Sequence, residues 1–144
     1  MRLKTIIIIV LLCSNLFITQ FLFAQNTLHS ESKTVPKKLT LDRAVMCEDI
    51  KDFAPLNPAV VFSIKIGKVC CFNSFDPVPE KTFIYHKWFH KDDLSTTKRL
   101  TLQPPRWTTY STIQLRETDK GPWRVEISDQ KGNLLYILRF SITD

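Results

Sequence analysis

A chain of 144 residues with a formal net charge of +6 and 24% charged residues has room for one domain and not for two. Its basic excess is small and scattered, without the clustered Lys/Arg stripe of a nucleic-acid binder. Only three glycines occur, which leaves no Gly-rich loop to cradle a phosphate.

Arg2 and Lys4 precede the apolar run Ile6 to Leu12, the order of charge then hydrocarbon that marks a secretory signal. Residues 1–24 are expected to be removed by cleavage after Ala24, the small residue in Phe21-Leu22-Phe23-Ala24-Gln25, leaving about 120 residues at a charge of about +4. Two competing readings are weaker. A lipoprotein would be acylated at Cys13, but Leu12 is bulky for the position before a lipidated cysteine. An uncleaved anchor would have its apolar span interrupted by Ser14, Asn15, Thr19 and Gln20. The protein is therefore expected in the periplasm or secreted, with no stable membrane span after cleavage. Residues 25–41, polar and carrying only Pro36 as a breaker, read as a flexible tether. The domain proper is assigned to 42–144.

From Asp42 onward, short β segments are predicted at 43–48, 68–75, 82–90, 98–103, 106–113, 122–129 and 134–142, separated by turn chemistry, with no helix. The stretch 49–67 holds Pro55 and Pro58 and reads as a long connection with a short extended piece around Val60 to Ile64. Trp123, Val125 and Ile127 alternate with Arg124, Glu126 and Ser128, so Trp123 should point inward. Leu134, Tyr136, Leu138, Phe140 and Ile142 alternate in the same way with Leu135, Ile137, Arg139 and Ser141, and Asp129-Gln130-Lys131-Gly132 supplies the hairpin turn between the two strands. About seven strands in roughly a hundred residues predict an all-β fold, an antiparallel immunoglobulin-like β-sandwich preceded by a signal peptide.

Beyond the signal lie Cys47, Cys70 and Cys71, in a compartment where disulfides persist. Neighbours on a strand project to opposite faces, so Cys70 and Cys71 do not pair with each other. Cys47 then has either one as its partner.

Strand 82–90 places His86, Trp88 and His90 on one face and Phe83, Tyr85 and Phe89 mostly on the other. An aromatic flanked by two imidazoles makes a candidate ligand platform. The competing reading buries Trp88 in the sandwich core beside a disulfide, with His86 hydrogen-bonded next to it. No metal site follows from His86 and His90, because four strand residues span about 13 Å. Arg106, Trp107 and Tyr110 form a second candidate binding group. A regular strand sets Trp107 and Tyr110 on opposite faces, one in the core and one at the surface, and strand aromatics are also enriched for packing alone. Asp92 with Asp93, and Glu117 with Asp119, are available as acid and base, but hairpin-loop chemistry accounts for both pairs. No serine occupies a nucleophile elbow and no cysteine pair has redox spacing. Cys70 beside His86 would be a nucleophile only if it were not an inert strand cysteine. The residues therefore point to no enzyme, no cofactor and no metal.

The order Arg43-Ala44-Val45, Cys47-Glu48, Phe62, Cys71-Phe72, His86, Trp88, Arg106-Trp107, Tyr110-Ser111, Gly121, Trp123-Arg124-Val125, Asp129, Gly132 and Phe140 resembles the domain of unknown function 2914 family, over residues 43–142. The resemblance implies an extracytoplasmic β-sandwich, common at the C-terminal end of envelope proteins, with no established activity, ligand or catalytic residue. It also implies a Cys47 to Cys71 disulfide with Cys70 left free, since those are the two positions where the family pattern places cysteines. The chain departs from that pattern at Cys70, where an aromatic is common, and at Tyr110, where a tryptophan is common. The functional expectation is an exported, non-catalytic cell-envelope binding module for a glycan or another envelope polymer. The alternative is a structural or protein-interaction module docking another envelope protein. A single exposed surface carrying Trp88, Trp107 and Tyr110 would favour the first, and a flat exposed sheet edge the second.

Overall fold

The computed structural model describes residues 37–144. The expected signal peptide, its cleavage site, Cys13 and the tether as far as residue 36 lie outside the described residues. Among the described residues no helix is long and apolar enough to cross a membrane.

The described strands are β1 (Leu41–Lys51), β2 (Ala54–Pro58), β3 (Val61–Ser63), β4 (Lys68–Phe75), β5 (Thr82–His90), β6 (Asp93–Leu102), β7 (Trp107–Gln114), β8 (Gly121–Asp129) and β9 (Leu134–Thr143). They form a four-stranded sheet in the order β2-β1-β4-β7 and a five-stranded sheet in the order β3-β9-β8-β5-β6. Every pairing is antiparallel except β3 with β9. The sandwich expected from the sequence is therefore present, with β2 and β3 as additions inside the stretch read as a connection. Pro55 and Pro58 argued against a strand there, but β2 pairs only with β1 and is the margin of its sheet, where a residue without an N–H is tolerated. β2 is reached through a two-residue turn in which Asp52 and Phe53 both have positive φ, 50° and 58°, the conformation that matches the twist of a hairpin. Asn57, also at positive φ, ties β2 to β1 by donating from Nδ2 to Glu48 Oε2 at 2.7 Å.

Period-two alternation on β8 and β9 places Trp123, Val125 and Ile127, with Phe140 and Ile142, in the core. They meet Met46, Val69, Cys71 and Phe75 from the four-stranded sheet. Trp88 and Phe62 each pack edge-on against Phe140 with ring centroids 6.1 Å apart. Each such side chain contributes about 2 kcal/mol by leaving water. The β8–β9 hairpin is pinned by Asp129, whose carboxylate accepts from the backbone N–H of Lys131 and Asn133 and from Asn133 Nδ2, all at 2.9 Å. Gly132, at φ +85°, supplies the left-handed residue that the loop needs. On the outer face of the five-stranded sheet, Phe83 and Phe89 are covered by guanidiniums. Arg99 lies 3.8 Å from the first ring and Arg124 4.0 Å from the second.

Candidate functional site

β5 turns His86 and Trp88 into the core, where both are fully buried, and across the sandwich they meet a single hydroxyl from β7. Ser111 Oγ accepts from Trp88 Nε1 at 3.1 Å and lies 2.7 Å from His86 Nδ1. An indole nitrogen only donates, whereas the hydroxyl can either donate to or accept from His86 Nδ1. His86 Nε2 is buried without a partner among the described residues, and so are both amide atoms of Asn73. Burial brings the His86 pKa down to about 4, which keeps the ring neutral. His90, at the end of β5, stacks on Trp123 with centroids 4.5 Å apart and reaches the Lys120 carbonyl with Nε2 at 3.1 Å. The platform expected from His86, Trp88 and His90 is thus corrected. The three side chains go to core packing, because the face of β5 that carries them is the one the other sheet covers. Among the described residues no three His, Cys, Asp or Glu side chains gather as a metal site.

Arg106, Trp107 and Tyr110 are exposed. Trp107 pairs with buried Phe75 and points to the inner side, and Tyr110 pairs with Phe72 and points outward. They occupy opposite faces as expected, yet neither is in the core, with 40% of Trp107 and 48% of Tyr110 exposed. Trp107 escapes burial because it sits at the end of its strand, past the last residue that faces the other sheet. With Arg106 it borders an open depression of about 470 Å³ whose wall also includes Asp42, Ser74 and Asp76. Ser74 Oγ donates to Asp42 Oδ2 at 3.0 Å and fixes that carboxylate. Val78 N–H donates to Pro105 O at 2.7 Å and holds the two bordering loops together. Trp88 and Trp123 spend their indole N–H groups inside the domain, whereas Trp107 makes no hydrogen bond with another described side chain. The sequence reading missed Asp42, Ser74 and Asp76. Ser74 and Asp76 lie some thirty residues from Trp107 and Asp42 more than sixty, and only the β1–β4–β7 register brings them together.

Three of the four acidic side chains in these loops are engaged. Asp92 is engaged by Arg124, Glu117 by Lys120 at 2.8 Å, and Asp119 accepts from Arg116 N–H at 2.8 Å.

The cysteine register overturns the Cys47 to Cys71 bridge. Cys47 on β1 is directly opposite Cys70 on β4, while Cys71 is opposite Met46. Cys71 therefore faces the core, and Cys47 with Cys70 lies on the other side of the sheet in a small cluster with Phe72, Val45 and Ile50. All three are free thiols here. Cys70 also meets Thr112 Oγ1 at 3.3 Å, and His86 lies across the sheet in the core, so the two are not placed as a nucleophile and its base.

Residues 81–142 match the model of the DUF2914 family, described as a protein of unknown function, which upholds the resemblance read from the sequence. A crystal structure at 1.50 Å of an immunoglobulin-like protein from Pseudomonas aeruginosa is similar in fold, with a TM-score of 0.52 at 12% identity, covering 76% of this chain and 99% of that one. No curated protein matches the chain. The fold is thus immunoglobulin-like, and the matched domain is one of unknown function.

Proposed function

We propose that this domain is a non-catalytic binding module of the cell envelope, exported from the cytoplasm, whose ligand is a glycan or another hydroxyl-rich envelope polymer held at the Trp107 depression. The observation that carries this reading is the exposed indole of Trp107 set beside Arg106, Asp42, Ser74 and Asp76. A flat aromatic face receives the C–H face of a sugar ring, while carboxylates accept from hydroxyls and the guanidinium donates to ring and carboxylate oxygens. An opening of this volume admits one or two such rings and falls in the usual range of ligand clefts.

The test is calorimetric titration of purified cell-wall polysaccharide fragments, with Trp107→Ala, Arg106→Ala and Tyr110→Ala variants of the full chain. Binding should be lost in the first two and kept in the third, with the melting temperature of each within a few degrees of the parent. Undiminished binding by Trp107→Ala would overturn the placement of the site. A second reading rests on β7, which closes one margin of its sheet and carries neither proline nor charge in WTTYSTIQ. That edge suits an added strand from another envelope protein. Binding of an envelope protein that is abolished by Thr109→Pro in a variant that still folds, but not by Trp107→Ala, would favour it.

A further inference from the structure

Cys47 and Cys70 face each other across adjacent antiparallel strands. Cys47 Sγ lies 3.8 Å from the Cys70 carbonyl and Cys70 Sγ lies 3.9 Å from the Glu48 carbonyl, and the two side chains share one small buried cluster. Directly opposed residues of an antiparallel ladder have α-carbons about 4.5 to 5.5 Å apart, within the roughly 4.4 to 6.8 Å that a disulfide spans. Cys71 is separated from both by the sheet itself. We propose that Cys47 and Cys70 form a cross-strand disulfide that staples β1 to β4, made as the domain folds by exchange with a small-molecule or protein disulfide, and that Cys71 remains a thiol.

In the folding chain either thiol can open the exchange, and the two routes end in the same bond. Where Cys70 opens it, the Cys70 thiolate attacks one sulfur of the incoming disulfide and expels the other as a thiolate, which takes up a proton from water. Cys47 then loses its proton to solvent, attacks Cys70 Sγ and expels the second thiol of the oxidant. Two protein thiols are oxidised by two electrons, and one external disulfide is reduced to two thiols. Both sulfurs are buried in the folded domain, so exchange belongs to the folding chain and the finished bond resists reductants.

The experiment uses the full chain with Cys13→Ser, so that only the three domain cysteines remain. The reduced, denatured protein is refolded in a mixture of oxidised and reduced glutathione, alkylated under denaturing conditions and weighed intact. The expected result is one alkylated cysteine, none after a further Cys71→Ala, and two in the Cys70→Ser variant. If a variant fails to fold, the parent alone decides, because trypsin releases Ala44–Lys51 linked to Val69–Lys81 and fragmentation between Cys70 and Cys71 assigns the bond. A bridge closing a loop of roughly two dozen residues should raise the melting temperature over the reduced form by about 10 to 20 °C. Three alkylated cysteines in the refolded parent, or a linkage found on Cys71, would overturn the assignment.

Discussion

Acidification should unfold this domain through one buried imidazole. The His86 ring has an ordinary pKa of 6.5 and one of about 4 in the folded domain, lowered by burial. Between those values the unfolded chain takes up a proton that the folded domain refuses. Stability is therefore fully present above pH 6.5 and falls as pH drops, until the folded form also protonates near pH 4. The shift corresponds to about 3 kcal/mol across that window, a large share of what a domain of this size possesses. The carboxylates do not confuse the reading. Asp129 is held below its ordinary value by Asn133, Asp49 by Lys68 and Asp144 by Lys120, so their contributions fade only below about pH 5, and the window above that pH reports the imidazole. Urea unfolding at about pH 7 and 5.5 measures the slope. In His86→Gln, which keeps a polar group near Ser111 but does not titrate, the slope between pH 6.5 and 5 should vanish. A His86→Gln variant as acid-sensitive as the parent would refute the argument, whatever its stability at neutral pH.

Ser111→Ala should cost about 2 to 4 kcal/mol in chemical denaturation, because it strands the Trp88 indole N–H and His86 Nδ1 in the core; a loss under 1 kcal/mol would mean that neither bond matters. Asn73→Leu removes two buried amide atoms that have no partner among the described residues and should raise stability by about 1 kcal/mol, and a fall would show that the amide is bonded after all. Asp129→Ala should lower the melting temperature by about 4 to 8 °C through loss of the three hydrogen bonds that hold the β8–β9 loop, with no change counting against that role. Phe53→Gly should stabilise the β1–β2 hairpin by about 1 kcal/mol, since an exposed phenylalanine at positive φ gains little from burial and bears backbone strain; equal or lower stability would place the Phe53 ring in a contact.

What the sequence made legible follows from which faces of which strands are greasy. On β8 only one face is uniformly apolar or aromatic, and the reading of Trp123, Val125 and Ile127 as inward was direct; on β9 both faces begin apolar, and Leu134 and Tyr136, grouped with Phe140 and Ile142 by alternation, are exposed while Leu135 packs on the core. On β5 both faces are aromatic. Phe83, Tyr85 and Phe89 look as suited to the core as Trp88 does, and only Arg99 and Arg124, arriving from β6 and β8 to cover two of those rings, make the outer face tolerable. β4 has the same ambiguity in its cysteines: residues 69 to 73 are buried on both faces, since Phe72, Val45 and Ile50 build a second small apolar cluster outside the sheet. Parity therefore separates Cys70 from Cys71 but does not say which one Cys47 meets. That depends on the β1–β4 register, a long-range quantity fixed only when the sheets assemble. The Trp107 depression was half legible, for Arg106 and Trp107 stand out locally while Asp42, Ser74 and Asp76 come from two other segments.

The prolines of β2 matter for more than the boundaries of a strand. A free sheet margin is a row of unpaired donors and acceptors that invites another copy of the chain to continue the ladder. Alternate residues of a marginal strand turn their N–H groups outward, and Pro55 and Pro58 stand three apart, so one of the two falls among the outward positions and takes a donor from that row. Asn57 between them takes a positive φ. A molecule docking there would find its hydrogen-bond register broken within five residues, which makes this margin of the four-stranded sheet a poor seed for fibrils or for unintended dimers.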